Sequence, residues 1–442
     1  MLTLNPHARE IAGALDEERR TKGARGILHG IPIVVKDNYA TVDMPTTAGS
    51  KALEGFETHR DAFVVKKLRE AGAVILGKTN LHELAYGITT ISSMGGQTRN
   101  PYDPTRNPGG SSGGTGAAVA ASFAAAGMGT DTCGSIRIPS AHNNLVGLRG
   151  TMGLSSRDGI VPLSLTQDIG GPLARTITDL AIMLDATVGA DPADPVTTAS
   201  DGHIPRTYLG VIGDRDIGDI TIGILKPLFG SAPEDEEVAH IVREAVNAFR
   251  DLGATVDEID MPDLDSLLQN TSVITDEFKF NLRDYLASFS SAPVHTLTEI
   301  LASGRFSPAV ESVLRRSDTA VEHSSSYRAA LDKRVQARQR VLEVMASHGL
   351  TALVYPTIRR TAAVIGQPQG GNNCQLSATT DLPALAIPAG FTDAGLPVGM
   401  ELLGTPFSEP ALLKAAYAYE QVMGPRKAPA STPSLPTASA AR

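Results

Sequence analysis

Short apolar, β-branched runs alternate with amphipathic stretches along the first half of the chain, and this alternation limits the fold more than any other feature. Residues 31–35 (IPIVV) end at Lys36-Asp37-Asn38, and AVIL at 73–76 follows an amphipathic stretch at 61–71 that Gly72 closes. An apolar run of that length between turn signals reads as a buried strand. The alternation continues to about residue 190 and predicts an α/β fold with a substantially parallel sheet. Residues 5–20 carry helical periodicity. Residues 190–218 are rich in Asp, Pro, Gly and Thr and predict a long surface loop dividing two halves of one fold. Strand patterns resume at 220–225, 352–356 and 383–389, a charged helix is expected over 234–252, and 264–350 reads as mostly helical. The tail at 425–442 is Pro, Ala, Ser and Thr and predicts disorder.

The chain's 442 residues permit two or three domains by length, although large α/β domains often exceed the usual ~100–200 residues. Lys and Arg number 39 against 48 Asp and Glu, a net charge of −9 with no basic run, which disfavours a nucleic-acid partner. Two cysteines, Cys133 and Cys374, are too few for a disulfide framework and show no zinc spacing, so a reducing compartment is expected. The N-terminal stretch lacks the charged-then-apolar order of a secretory signal. Residues 117–128 are too few to span a bilayer. These features predict a cytoplasmic protein with no membrane partner, metal or cofactor.

Two familiar patterns point away from the chemistry. Gly72-Ala-Val-Ile-Leu-Gly77-Lys78-Thr79 satisfies the phosphate-loop spacing, yet its middle residues form an apolar strand whose N–H groups belong in a sheet ladder. Gly109-Gly-Ser111-Ser-Gly113 satisfies GxSxG, yet the preceding NPYDPTRNPGG holds three prolines and cannot be the strand that a nucleophile elbow needs. The segment GGSSGGTG (109–116) instead leads into an alanine-rich helix, and its glycines suggest close backbone approach. Ser135, in GTDTCGSIRIP, is preceded by small residues and followed by an apolar run, so it can sit at a tight turn. There the backbone N–H groups of Thr132, Cys133, Gly134 and Ser135 could converge on one oxygen, as an oxyanion hole requires. None of the ten histidines has a compelling catalytic context; His82 and His142 read equally as polar neighbours. Lys36 ends an apolar strand, where desolvation lowers a lysine's pKa toward that of a useful base, though a solvated charge is the commoner outcome.

Taken together, Lys36 in GIPIVVKDN, the GGSSGG run at 109–114 and GTDTCGSIRIPS at 129–140 resemble the amidase signature family. The resemblance extends through NLVGLRGT, SRDGIVPLS, DIGGPLART, LPALAIPAGF and GLPVGMELLG. It implies a single large α/β domain over 1–424, with a central mixed sheet flanked by helices on both faces. The signature core would occupy about 26–190 and a variable helical cap about 264–350. It also implies a Ser–cis-Ser–Lys triad with Ser135 as nucleophile, Ser111 as relay after a cis Gly110–Ser111 peptide, and Lys36 as base. Asp131 and Arg137 would form a buried ion pair bracing the nucleophile loop, and Ala85 and Tyr86 would line the acyl pocket. Cys133 departs from the family, which usually has glycine there, so a reshaped pocket mouth is expected around an otherwise inert, packed side chain.

The expected activity is hydrolysis of a small aliphatic or aryl amide through an acyl-enzyme, with a small-molecule substrate and a homodimer left open. The alternative is the glutamine-hydrolysing amidase subunit of a tRNA-dependent amidotransferase. Cys133 and His142-Asn143-Asn144, where such subunits tend to carry smaller residues, weigh against it. A non-enzymatic binding protein is disfavoured because all three triad positions are intact. Phe278, Phe280, Tyr285 and Phe289 in EFKFNLRDYLASF are expected mainly to pack their helix onto the sheet; any that face the cleft would suit an aromatic or alkyl acyl group.

Overall fold

Ile33, Val34 and Val35 are completely buried, because their strand has a neighbour on each side and helices over each face. Ile33 and Val35 point into one apolar layer and Val34 into the opposite one, as the two-residue period of a strand dictates. A computed structural model describes residues 1–213, 215–424 and 426–432. The first half of the chain runs β1 (Thr3–Leu4), α1 (Ala8–Lys22), β2 (Pro32–Lys36), α2 (Phe63–Glu70), β3 (Val74–Thr79), β4 (Ile91–Ser92), β5 (Gly96–Gln97), α3 (Gly113–Ala120), β6 (Ala126–Asp131), α4 (Arg137–His142), β7 (Val146–Arg149), β8 (Ile169–Ala174) and α5 (Ile177–Thr187). The second runs β9 (Thr221–Leu225), α6 (Glu236–Asp251), β10 (Thr255–Ile259), α7 (Leu264–Leu268), α8 (Ile274–Ala287), α9 (Leu297–Ser303), α10 (Glu311–Asp318), α11 (Ser325–Ser347), β11 (Ala352–Pro356), α12 (Gln375–Thr380), β12 (Ala384–Phe391), β13 (Pro397–Gly404) and α13 (Glu409–Val422).

Eleven strands form one mixed sheet in the order β1-β3-β2-β6-β8-β7-β12-β13-β11-β9-β10. Apart from the two-residue edge strand β1, which is antiparallel to β3, its flanks are parallel: β2 lies between β3 and β6, and β9 between β11 and β10. The centre, from β6 through β8, β7, β12 and β13 to β11, is antiparallel throughout. The sheet is therefore less parallel than strand–helix alternation predicts. The difference comes from β7, β8 and β13, whose glycine-rich sequences do not announce themselves as β-branched runs. A Cβ on Gly147 would collide with Ser140 Oγ, and one on Gly171 with the Leu148 carbonyl, so close packing keeps these strands poor in side chains.

Helices α2, α5, α6 and α13 cover one face, where Leu68, Leu180, Val242, Phe249 and Leu413 build the main core. On the other face α3 and α4 pack with Val34, Ile136 and Leu173. Helices α8–α10 form a cap with its own apolar cluster over Phe56, Leu81 and Leu84. The phosphate-loop lookalike is strand β3, paired on both sides, and Lys78 is fully buried beside Asp37 at 3.1 Å. The expectation of a disordered tail is corrected for residues 426–432. Arg426 donates to the Ala120 carbonyl at 3.0 Å, Tyr102 Oη–H to the Lys427 carbonyl at 2.6 Å and Ser431 Oγ–H to the Pro101 carbonyl. These contacts satisfy polar groups that sequence composition alone cannot pair; the remainder of the tail lies outside the described residues. Among the described residues no helix is long and apolar enough to cross a membrane.

Lys78→Ala strips a buried carboxylate, Asp37, of its counter-ion. It is expected to cost about 3–5 kcal/mol in urea unfolding, and an unchanged midpoint would contradict a structural role for Lys78.

Candidate active site

Three segments meet at the C-terminal ends of β2 and β6. Lys36 is the last residue of β2, Ser111 precedes α3, and Ser135 lies in the turn joining β6 to α4. Lys36 and Ser111 are fully buried and Ser135 is 4% exposed. Lys36 Nζ donates to Ser111 Oγ at 2.7 Å, to Thr130 Oγ1 at 2.7 Å and to the Thr130 carbonyl at 3.4 Å. Burial pushes the Lys36 pKa down to about 7, against the opposing pull of Asp168 and Asp131. Ser112 N–H donates to the Ser135 carbonyl at 3.1 Å, which holds the two serine segments side by side.

The glycine run exists because the loop before α3 is pressed against residues 80–90. A Cβ on Gly110 would approach the Ile88–Thr89 backbone to 2.8–2.9 Å, and one on Gly114 would collide with the Asn80 carbonyl. The Gly110–Ser111 peptide is cis. Thr90 organises the loop from beneath: its hydroxyl donates to the Gly109 carbonyl at 2.7 Å and accepts from Gly113 N–H at 3.0 Å. His82 N–H donates to the Ser111 carbonyl at 3.0 Å, while burial and then Lys36 press the imidazole pKa down to about 4, so the ring is neutral. Burial likewise lowers His142 to about 4. His82 Nδ1 accepts from Thr89 N–H at 3.2 Å and His142 Nε2 lies 3.4 Å from the Arg360 carbonyl, so both rings sit as polar neighbours of the site segments.

Asp131 sets the shape of the Ser135 turn. Its carboxylate accepts from Gly134 N–H at 2.7 Å and Ile136 N–H at 3.1 Å, and pairs with Arg137 at 3.0 Å and Arg149 at 3.4 Å, all completely buried. This corrects the reading of Gly134: its N–H is already committed to Asp131. Among the described residues, the N–H groups of Thr132, Cys133 and Ser135 have no acceptor and remain for a ligand oxygen. Thr132 Oγ1–H donates to Asp168 Oδ1 at 2.5 Å, and Gln167 Nε2–H to the Thr132 carbonyl at 3.2 Å. Arg137 continues to Glu401 at 2.5 Å, and Tyr355 Oη–H donates to Glu401 at 2.6 Å.

The cysteine reading is also corrected: Cys133 and Cys374 form a disulfide across 241 residues of sequence. Folding brings together two residues whose separation gave no hint of pairing, and the bond removes the argument for a reducing compartment. Ala85 belongs to the apolar cap cluster. The Tyr86 ring stacks edge-on against Phe278 at 5.5 Å, and its hydroxyl bonds Thr275 and Ser317 at 3.1 and 3.2 Å. Phe289 packs edge-on against Phe56 and is tilted against Tyr285. These aromatics therefore fasten the cap to the loops beneath it rather than to the sheet. Thr90, Arg149, Asp168, Tyr355, Gln375 and Glu401 escaped the sequence reading, since an isolated polar residue carries no local pattern. Glu401 alone carried a signal, as the single carboxylate inside GLPVGMELLG.

The chain matches the Amidase family model over residues 1–413 and belongs to that family. It is 34% identical to the glutamyl-tRNA(Gln) amidotransferase A-subunit of Methanosarcina barkeri over 95% of this chain and 89% of that one. The same-named protein of Symbiobacterium thermophilum is 37% identical over 94% and 88%. Among solved structures, native peptide amidase from Stenotrophomonas maltophilia superposes with a TM-score of 0.89 at 38% identity, covering 97% of this chain and 90% of that one. The glutamyl-tRNA(Gln) amidotransferase A-subunit of Thermotoga maritima gives 0.74 at 27% identity over 94% and 92%. The chain is thus an amidase, a hydrolase of carbon–nitrogen bonds.

Thr90→Val keeps the side-chain shape but removes both loop hydrogen bonds. It is expected to lower stability by about 1–3 kcal/mol and to lower kcat; calorimetry and turnover matching the parent would contradict the role given to its hydroxyl.

Proposed function

We propose that Ser135 is the nucleophile of a primary-amide hydrolase, with Ser111 as relay and Lys36 as base. The observation that carries this reading is a buried lysine, poised near neutrality, 2.7 Å from a serine beside the Ser135 turn. A neutral amine has two N–H groups and one lone pair. Thr130 takes the two N–H groups: its carbonyl can only accept, and its hydroxyl oxygen also accepts from Asn38 Nδ2–H at 3.0 Å. The lone pair is left for Ser111, whose hydroxyl then donates to it. Ser135 Oγ attacks the carbonyl carbon as its proton passes to Ser111 and the Ser111 proton passes to Lys36. Collapse of the tetrahedral adduct breaks the C–N bond, and the protons return through Ser111 to the departing nitrogen, releasing ammonia. Water then cleaves the acyl-enzyme by the same relay. The N–H groups of Thr132, Cys133 and Ser135 are suited to hold the oxyanion, and Ala85 and Tyr86 are placed in this scheme beside the acyl group.

For the acyl group, the relatives favour an amino acid or peptide. Glutamine is supported by the relatives named as amidotransferase subunits, and an amide borne by a peptide by the peptide amidase likeness. A small aliphatic or aryl amide, the first expectation from sequence, gains support from neither. Of the cap aromatics, Phe278 packs against Tyr86, and Phe289 against Phe56 and Tyr285.

Ser135→Ala should reduce ammonia release by at least about 10⁴-fold and abolish labelling by a fluorophosphonate; adduct on Ser111 instead would reverse the assignment. Because Lys36 acts only when neutral, kcat/KM should rise through about pH 7 and then level. A profile flat from pH 5 to 9 would sink Lys36 as base. Ammonia release from L-glutamine and a peptide amide should exceed that from acetamide or an anilide, and the reverse order would remove the amino-acyl assignment.

A further inference from the structure

We infer that the Cys133–Cys374 disulfide is a positioning clamp for the oxyanion-binding turn, so that the enzyme works in its disulfide form and slows when the bond is reduced. This inference rests on the mechanism proposed for Ser135. Every other residue of the turn is tied down through hydrogen bonds. Thr132 is held at its hydroxyl by Asp168 and at its carbonyl by Gln167. Gly134 is held by Asp131 and by Ile138 N–H, which donates to its carbonyl at 2.7 Å. Ser135 is held at its carbonyl by Ser112. Among the described residues, the backbone of Cys133 makes no hydrogen bond at either its N–H or its carbonyl. Its link to the surrounding structure is the bond to Cys374, with Gln375 against the sulfur.

The other end of the clamp is rigid. Cys374 is 3% exposed, its N–H donates to Asn372 Oδ1 at 2.8 Å, and its carbonyl accepts from Ala378 N–H at 3.2 Å and from Arg137 Nη2 at 3.3 Å. Arg137 is also the partner of Asp131, so the ring of restraint closes: Asp131, the turn, Cys133, Cys374, Arg137 and back to Asp131. The packing is close, since a Cβ on Gly134 would lie 2.8 Å from the Cys374 Cβ. Cutting the S–S bond frees the one residue of the turn whose backbone makes no hydrogen bond among the described residues, and its N–H is among the three left for the oxyanion. Cys133 is half-buried, which gives a reductant a way in. A dithiol's thiolate attacks Cys133 Sγ and expels the Cys374 thiolate. The second thiolate of the reagent then displaces Cys133 and closes a cyclic disulfide, two electrons passing from the reagent to the protein.

The test uses the full chain and a fluorophosphonate, with thiols counted by maleimide mass shift. Dithiothreitol treatment should lower the rate constant for bond formation at Ser135 by about ten-fold or more, since losing one oxyanion donor outright costs ~10²–10³. Reversible binding of the probe should change little, near-ultraviolet circular dichroism should persist, and oxidised glutathione should restore the rate. A Cys133→Ser/Cys374→Ser double variant should show the low rate and ignore dithiothreitol. Equal rates in the disulfide and fully reduced forms, with Ser135 still labelled, would overturn the clamp and leave the mechanism standing. Loss of tertiary signal in step with the rate would also overturn it, because the bond would then be holding the whole fold. Absence of Ser135 labelling in both states would instead overturn the mechanism.

Discussion

A single buried carboxylate, Asp131, holds the site in shape. Burial works against its charge, but Arg137 and Arg149 overcome that cost and keep the carboxyl well below its ordinary range. Buried charges are tolerated when fully paired and hydrogen-bonded, and are expensive when a partner is lost. Asp131 meets that condition by gathering the N–H groups of Gly134 and Ile136 along with two guanidinium groups. The same contacts fold the chain back on itself between β6 and α4, which lifts Ser135 out of the sheet. They also connect the turn through Arg137 and Glu401 to β13 and through Tyr355 to β11, so the antiparallel centre of the sheet is its foundation.

Two lysines, in adjacent parallel strands, show how neighbours decide a buried amine's task. Burial lowers the pKa of both Lys36 and Lys78. Lys78 has a carboxylate 3.1 Å away, which favours its charged form and makes it a structural cation. Lys36 has only hydroxyls and a carbonyl within hydrogen-bonding distance, and the carboxylates of Asp168 and Asp131 act on it without touching it. A counter-ion at hydrogen-bond distance thus separates a lysine that braces from one suited to exchange a proton. Neither strand position nor burial separates them, since both residues lie at the ends of apolar strands.

That distinction also marks how far sequence could be read. The apolar strands β2 and β3, the helices around them and the cap were legible because their periodicity is local. The segments carrying Lys36, Ser111 and Ser135 were legible through three ordered motifs, while the base role proposed for Lys36 came from the family resemblance. Strands β7, β8 and β13 were obscured by glycines that serve close packing. The Cys133–Cys374 bond, the Arg137–Glu401 pair and the commitment of Gly134 N–H to Asp131 are relations between distant residues or between a backbone and a side chain, and neither leaves a one-dimensional pattern. Cys133 did stand out as a departure from the family, but its consequence depended on a partner that only folding supplies.

The reach from Arg137 to Glu401 has a bearing on synthesis. The triad segments leave the ribosome within the first third of the chain, yet the residues that complete the turn's support, Cys374 and Glu401, follow 241 and 264 positions after their partners. The segments carrying Lys36, Ser111 and Ser135 are thus made before the residues that brace the Ser135 turn. The brace on the Ser135 turn is therefore complete only once β13 has paired with β11 and β12.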